Sequence, residues 1–316
     1  MSEFDWIARY FAPLASNEGL GLRDDAALFK STAGKELVIT SDAITAGIHF
    51  FADDAPASIA QKLLRVNLSD LAAKGAEPRG YLLSLLLPFD TPESWVEGFV
   101  TGLASDQIRF GIALWGGDTS QIKGPITASV TAIGEVKTGQ MLRRSGAQIG
   151  DVLYMTGGLG NAALGLKIRK GELEANDYLL DRYLHPRPQV ELGQRLVGIA
   201  TAAMDISDGL VQDAGHLAIA SDVALAINVN QLTFSRETRD ILNEKPELFE
   251  LCLSGGDDYE LLFTAPLAAK DMLISLSERT EITITAIGTV GQGSGVTVLG
   301  EDGRPLELVN MGWQHF

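Results

Sequence analysis

The sequence predicts an α/β protein of two domains, and three observations carry that expectation. At 316 residues the chain is too long for one ordinary hydrophobic core. Short apolar runs of strand character alternate with longer amphipathic stretches of helical character in both halves. Between the halves, Lys137 to Gly150 is polar, basic for this chain and Gly-containing, as a boundary would be. The domains are therefore expected at 1–137 and 138–316, each a sheet with helices on one face.

Taken in order, Glu3 to Phe11 reads as a short amphipathic helix ended near Pro13. Glu36 to Thr40 is a strand feeding Ser41-Asp42. Ala57 to Lys74 is a long helix, Tyr81 to Leu87 a buried strand and Pro92 to Arg109 a second helix. Ile112 to Trp115 is a strand running into Gly116-Gly117-Asp118, and Pro125 to Val136 alternates as a strand does. The second half opens with a strand, Asp151 to Thr156, a Gly-rich turn and a helix from about Leu159 to Arg169. Asn176 to Arg187 reads as a charged connection, followed by a helix to about Ala202. After an Asp205/Asp208 junction come a helix to Ala220, a strand Val223 to Val229, a helical stretch and the Gly255-Gly256 turn. A strand Tyr259 to Thr264, a helix near Ala268 to Arg279 and strands across Ile282 to Leu308 complete the chain.

Composition narrows the chemistry. With 25 basic and 41 acidic residues the net charge is −16, a field that repels nucleic-acid backbones. The same field repels nucleotides unless cations stand between protein carboxylates and phosphates, so phosphate handling here requires metal. Cys252 is the single cysteine, so no internal disulfide can form and a reducing compartment is expected. It lies in Leu251-Cys252-Leu253, where it reads as a small buried hydrophobe. The opening Met1-Ser2-Glu3-Phe4-Asp5 lacks the basic start of a signal peptide, and no apolar stretch is long enough to span a bilayer. A cytoplasmic protein is expected, with no nucleic-acid or membrane partner.

The acidic residues recur in short Gly/Ser-rich junctions beside apolar runs: Arg23-Asp24-Asp25-Ala26, Thr40-Ser41-Asp42, Asn67-Leu68-Ser69-Asp70, Gly116-Gly117-Asp118-Thr119, Met204-Asp205-Ile206-Ser207-Asp208-Gly209 and Ser254-Gly255-Gly256-Asp257-Asp258-Tyr259-Glu260. Carboxylates among small neighbours, with Arg23 the one basic residue inside these junctions, suit Mg²⁺, which wants oxygen ligands and keeps several waters. A multi-metal site is the leading expectation. Asp70 falls on the helical stripe of Ile59, Leu63 and Val66, where an ionised carboxylate needs a cation or several donors. The plainer alternative is a helix-end Asp turned to solvent near Gly75. Asp24-Asp25 would by themselves be solvated or capping residues, and Asp208 could simply cap the helix that follows.

Other motifs are weaker. Gly158-Leu159-Gly160-Asn161-Ala162-Ala163 follows a strand and opens a helix, matching G-x-G-x-x-G/A, but the segment near Glu172 is too polar for the second strand a dinucleotide site requires. Tight helix packing, with anion binding at the helix N-terminus, explains these glycines better. No G-x-x-x-x-G-K-[ST], H-R-D or D-F-G signature occurs. His49 is seven residues from Asp42 and is either a structural histidine or part of the site. Arg143-Arg144-Ser145-Gly146 supplies scarce positive charge for phosphate oxygens, or is a solvated loop.

Together these segments, with Arg144-Ser145-Gly146-Ala147, Asp205-Ile206-Ser207-Asp208-Gly209-Leu210, Ser254-Gly255-Gly256-Asp257-Asp258-Tyr259-Glu260-Leu261 and the terminal Gly312-Trp313-Gln314-His315-Phe316, resemble bacterial thiamine-monophosphate kinases in order over nearly the whole chain. The resemblance implies the fold of the aminoimidazole-ribonucleotide synthetase superfamily: an N-terminal ATP- and metal-binding α/β domain that dimerises through its sheet, and a C-terminal α/β domain. It implies ATP as co-substrate, several Mg²⁺ ions, thiamine monophosphate as acceptor and a homodimer. By that likeness Asp25, Thr40, Ser41, Asp42, Asp70, Asp118, Asp205 and Asp208 match metal-binding positions. Gly117, Asp118, Arg144 and Ser207 match ATP contacts, and His49, Asp257 and Trp313 match substrate contacts. One departure stands out: the family carries Glu after Ser-Gly-Gly, where this chain has Asp257, one methylene shorter. The expected reaction is direct in-line phosphoryl transfer with no residue assigned as acid or base. Competing expectations are another ATP-dependent synthetase of the superfamily, of selenophosphate or aminoimidazole-ribonucleotide type, and a non-catalytic metal-binding scaffold.

Overall fold

The computed structural model describes residues 3–313. Met1-Ser2 and the terminal Gln314-His315-Phe316, read above as part of sequence motifs, lie outside the described residues. The chain forms two compact units, one running to Leu71 and including Ala76–Gly139, the other Ala72–Gly75 with Gln140 onward.

In the first unit, the helical turn α1 (Glu3–Trp6) and a π-turn, Ile7–Phe11, precede β1 (Lys35–Thr45), α2 (Pro56–Ala73), β2 (Glu77–Pro88), α3 (Glu93–Phe110), β3 (Ala113–Ile122) and β4 (Thr127–Lys137). The sheet order is β1-β4-β2-β3, with β1/β4 and β4/β2 antiparallel and β2/β3 parallel. Along β1 the pleat sends Val38 and Ile44 inward and leaves Leu37, Ile39, Ser41 and Ala43 exposed. Helices α2 and α3 cover the inward face. They approach each other closely at Gly102, where a Cβ would stand 2.3 Å from the Ala57 carbonyl oxygen. Buried Arg65 on α2 meets buried Asp106 on α3 with two hydrogen bonds, at 2.7 and 2.8 Å. The opposite sheet face carries Leu37, Ile39 and Leu82, at 45%, 61% and 40% exposure.

Two sequence expectations change here. The strands do not stop before their acids: β1 runs through Asp42 to Thr45, and β3 runs through Gly116-Gly117-Asp118 to Ile122. The reason is pairing, since β4 matches β1 residue for residue from Lys35 to Thr45 and supplies its hydrogen-bond partners.

The second unit holds β5 (Val152–Thr156), α4 (Asn161–Arg169), α5 (Asp177–Leu184), α6 (Val190–Leu196), β6 (Ala202–Asp205), α7 (Leu210–Ser221), β7 (Ala224–Asn228), α8 (Arg236–Glu244), α9 (Phe249–Ser254), β8 (Leu261–Ala265), α10 (Lys270–Thr280), β9 (Ile284–Gly291) and β10 (Gly295–Leu299). Its sheet order is β10-β7-β9-β5-β8-β6, antiparallel except for β10/β7. This sheet is covered on both faces, not one. Leu153, Met155, Met204 and Leu262 pack into a core with α7, whereas Tyr154, Ala203, Leu261 and Phe263 pack with α6 and α10. Unbroken apolar runs such as Leu261-Leu262-Phe263 are the mark of a strand buried on both sides. The segment read as a charged connection contains α5, whose N-cap Asn176 accepts a hydrogen bond from the Leu179 amide at 3.1 Å. The helix expected to reach Ala202 ends at Leu196, because Ala202–Asp205 is drawn into the sheet against β8. No helix among the described residues is long and apolar enough to cross a membrane.

Candidate functional site

Thr40, Asp42 and Asp70 gather where β1 lies against α2. The Thr40 hydroxyl donates to Asp70 Oδ2 at 2.5 Å. Asn67, fully buried one turn before Asp70, ties α2 to the strand: its Oδ1 accepts from the Asp42 amide at 3.0 Å while its Nδ2 donates to the Leu63 carbonyl at 3.0 Å. The Asp42 carbonyl accepts from Ser129 Oγ at 3.0 Å. Thr40 and Asp42, two residues apart on a strand, share the inward face and are half-buried. Ser41 alternates to the exposed face, where its hydroxyl donates to the Val130 carbonyl at 3.2 Å and meets Thr131 Oγ1 at 3.0 Å. His49 sits just past β1, its Nδ1 accepting from the Thr45 amide at 3.1 Å and its carbonyl from Lys62 Nζ at 3.1 Å.

A second feature of this unit is a cavity of about 700 Å³. Asp24, Asp25 and Gly116 to Thr119 line it together with Phe11, Phe29, Leu114 and Trp115. Phe29 stacks on Trp115 with ring centroids 4.6 Å apart. Gly117 adopts φ +150°, and a Cβ there would lie 1.8 Å from the Leu83 carbonyl oxygen, so only glycine fits. Asp118 is exposed and accepts from Ser120 Oγ at 3.0 Å, while Asp25 donates its amide to Asp24 Oδ1 at 2.8 Å.

These two groups stand at opposite edges of one sheet. Asp42, Val130, Leu83 and Gly117 form a single row across it. Three inter-strand spacings separate the ends of that row, about 14 Å. The structure therefore brings Thr40, Asp42 and Asp70 together, and Asp25 with Gly117 and Asp118, but not the two sets with each other. Among the described residues no three His, Cys, Asp or Glu side chains are grouped so as to hold an ion.

In the second unit the β6–α7 turn is the organising element. Buried Asp205 ends β6, and the Ile206 amide donates to the Glu260 carbonyl at 2.8 Å. Asp208 does not cap α7. The N-cap is Gly209, at φ +112°, and the preceding amides are met from inside: Asp213 Oδ2 accepts from Ser207 and Asp208 at 2.9 and 3.0 Å. Burial, joined by the charges of Asp205 and Asp208 and opposed by those two amides, pushes the Asp213 carboxyl up to about 7.

Neighbouring segments are stitched onto the same turn. The Asp257 amide donates to the Ser207 carbonyl at 2.9 Å, the Tyr259 amide to Ile206 at 2.8 Å and the Trp313 amide to Asp208 at 2.9 Å. Gln212 Nε2 donates to the Trp313 carbonyl at 2.9 Å and approaches Asp208 Oδ2 at 3.3 Å. Ser207, Asp208, Asp257 and Trp313, four positions picked out in the sequence, thus adjoin one another. The Arg143–Arg144 segment runs past the same unit: the Arg143 carbonyl accepts from the Ala203 amide on β6 at 2.7 Å, and the Arg144 carbonyl from Ser221 Oγ at the end of α7 at 3.0 Å.

The sequence reading does not single out Asp213, Gln212 or Arg182, and it gives Asp258 and Glu260 no role beyond their place in an acidic junction. The period-two spacing of Asp258 and Glu260 against Asp257 and Tyr259 is the signal that could have found two of them. The helix N-terminus at Gly158–Ala163 does bind an anion, and the anion is internal: Asp258 accepts from the Gly160 and Ala162 amides at 2.7 and 3.2 Å.

Comparison with known proteins bears on all of this. Residues 23–136 match the family model for AIR synthase related protein, N-terminal domain, and residues 148–301 the one for its C-terminal domain. A thiamine-monophosphate kinase of Caulobacter vibrioides is 39% identical over 99% of this chain and 91% of its own length. The crystal structure of the thiamine-monophosphate kinase from Stenotrophomonas maltophilia K279a superposes with a TM-score of 0.86 at 41% identity, covering 97% of this chain and 98% of that one. A solved structure described as AaThiL complexed with AMPPCP and TMP superposes at 0.79 with 34% identity, over 99% and 97% of the two chains.

Proposed function

This chain belongs to the AIR synthase related family, among its thiamine-monophosphate kinases, and on that premise we propose that it transfers the γ-phosphoryl group of ATP to thiamine monophosphate, yielding thiamine diphosphate and ADP. The observation that carries the reading to this chain is the cavity at Gly117–Asp118. It has the volume of a ligand pocket, an aromatic wall and, in its lining, Gly117, whose missing side chain lets β3 close onto the Leu83 backbone of β2. A relative of similar fold holds an ATP analogue and TMP together.

Mg²⁺ is part of the proposal. The donors at Thr40, Asp42 and Asp70 are all oxygens, two of them carboxylates, and a separate set, Asp24, Asp25 and Asp118, lines the cavity at the other edge of the sheet. One or two carboxylates completed by water and substrate phosphate is the way Mg²⁺ is usually held, so the residues fit it. Bound there, Mg²⁺ supplies neutralisation of the facing phosphates. In the same reading, within the first unit Asp25 and the Ser41 position contribute further oxygens, Gly117 and Asp118 contact ATP and His49 contacts thiamine monophosphate. Within the second, Asp205 and Asp208 are metal-binding positions, Arg144 and Ser207 contact ATP, and Asp257 and Trp313 contact thiamine monophosphate. An aromatic at Trp313 suits a cationic thiazolium, and its indole is half exposed.

Attack comes from an oxygen of the acceptor phosphate, already ionised near neutral pH. No side chain has to remove a proton, and no phospho-enzyme forms. The division at 137/138 gives the first domain nucleotide, metal and dimer contacts. A homodimer through the open face of the first sheet is favoured by the exposed Leu37, Ile39 and Leu82 on it. A cytoplasmic location belongs to the same proposal, with ATP as co-substrate and Cys252 buried and unpaired.

A coupled ADP assay tests the reading. ADP release should require thiamine monophosphate and stop on addition of EDTA; release that ignores the acceptor would overturn it. Trapping a stable phosphorylated residue after ATP addition would refute direct transfer.

A further inference from the structure

We infer that Asp258, with Glu260 behind it, is a positioning residue that aims Asp257 at the substrate. The inference rests on the kinase reading above and deepens it at the acceptor site.

From Asp257 to Glu260 the side chains alternate, Asp257 and Tyr259 half-buried, Asp258 and Glu260 only 2% exposed. Both inward acids are fully engaged. Asp258 reaches the first turn of α4, taking the amides of Gly160 and Ala162 on its two oxygens. That helix has no side-chain cap of its own, since its N-cap is Gly160, so a carboxylate nearly a hundred residues on in sequence does the capping. Glu260 takes Thr156 Oγ1 at 2.7 Å, Arg182 Nη2 at 2.7 Å and Gln189 Nε2 at 2.9 Å. Its seat exists only because residue 157 is glycine: a Cβ there would stand 2.2 Å from Glu260 Oε1.

Between and before these two anchors the backbone is held where side-chain-bearing residues seldom go. Asp257 has φ +71° and Tyr259 φ +50°. Such conformations persist only when the surroundings over-determine them. Here the Asp257 and Tyr259 amides are tied to the Ser207 and Ile206 carbonyls at 2.9 and 2.8 Å, and the intervening side chain is locked into α4. Gly256 lets the two turns close, since a Cβ there would lie 2.3 Å from the Ser207 carbonyl oxygen. The backbone that carries Asp257 is thus set from behind, and the Asp257 carboxylate accepts from the Tyr259 hydroxyl at 3.4 Å. That backbone placement matters more in this chain than where the position carries Glu, because the shorter acid has less reach with which to correct a misplaced backbone.

A double-mutant cycle read by kinetics tests this. Asp257→Ala and Asp258→Asn should each raise KM for thiamine monophosphate about tenfold or more, leaving KM for ATP nearly unchanged. In the Asp257→Ala background Asp258→Asn should add less than about twofold, because residues acting as one unit are not additive. Full multiplication of the two effects, an unchanged KM for thiamine monophosphate, or an equal rise in KM for ATP would overturn the inference. Should Asp258→Asn fail to fold, hydrogen exchange of the wild-type protein decides. Thiamine monophosphate should protect the Gly160 and Ala162 amides along with the 255–260 turn, and protection of the turn alone would overturn the inference. Wild-type turnover in the same series checks the kinase reading separately.

Discussion

The acids of the first unit and those of the second begin from similar sequence, short polar junctions beside apolar runs, and end in different physical states. In the first unit Asp42, Asp70 and Asp118 lie on strand or helix surfaces, half-buried or exposed, with a hydroxyl partner on Asp70 and another on Asp118. In the second, Asp213, Asp258 and Glu260 are buried, and their oxygens are taken up by backbone amides, a guanidinium and a side-chain amide. Carboxylates of the first kind stay within reach of solvent, where a hydrated cation can approach. Those of the second kind hold turns in place so that Asp208 and Asp257 can face outward. An acidic motif therefore mixes ligands and scaffolding, and burial with donor count separates them.

The largest effect should come from the first kind. Asp42→Asn or Asp70→Asn should lower kcat about a thousandfold, the scale of losing a charge aimed at the transition state, with the melting temperature nearly unchanged. A variant with wild-type turnover at ordinary Mg²⁺ would erase the distinction. Glu260→Ala should do the reverse and strike stability first. It strands Arg182, only 5% exposed, without its carboxylate, at a cost of about 3–5 kcal/mol in denaturant unfolding.

A pH titration of stability sharpens the contrast. Burial, opposed by the Gly160 and Ala162 amides and by Arg182, pushes the Asp258 carboxyl from 3.8 up to about 7. A pKa raised on folding contributes stability that is complete below the unfolded value and is lost as pH rises through the folded one. The melting temperature should therefore fall between about pH 4 and about pH 7, and Asp258→Asn should flatten that slope. Asp213, also raised to about 7, contributes with the same sign. The smallest effect belongs to exposed pairs: Glu191→Gln, which removes the contact to Arg195 at 2.7 Å, should change stability by less than about 1 kcal/mol.

Much of the fold was legible because periodicity reports burial directly. The helix read as Ala57 to Lys74 is α2, Pro56–Ala73, and the strand read as Tyr81 to Leu87 is the centre of β2. Strand ends were not legible at Asp42 and Asp118, since a polar residue in an outer or half-covered strand looks the same as one in a turn. Helix α5 was hidden by its charge: Asp177-Tyr178-Leu179-Leu180-Asp181-Arg182 shows no clean stripe until Leu179 and Arg182 are seen to be buried. Arg182 could not be recognised as interior without Glu260 beside it.

Composition and order of motifs, properties of the chain alone, determined the two-domain α/β class, the acidic character that calls for a cation beside phosphate, and the set of segments that carry the chemistry. Only the tertiary structure decided which acids lie together. It set Thr40 beside Asp70, put Asp42 and Gly117 at opposite ends of one sheet row, gathered Asp208, Asp257 and Trp313 around the β6–α7 turn, and turned Asp258 inward. The physical reason is that a carboxylate's role depends on its donors and its access to water. Residues distant in the chain supply both.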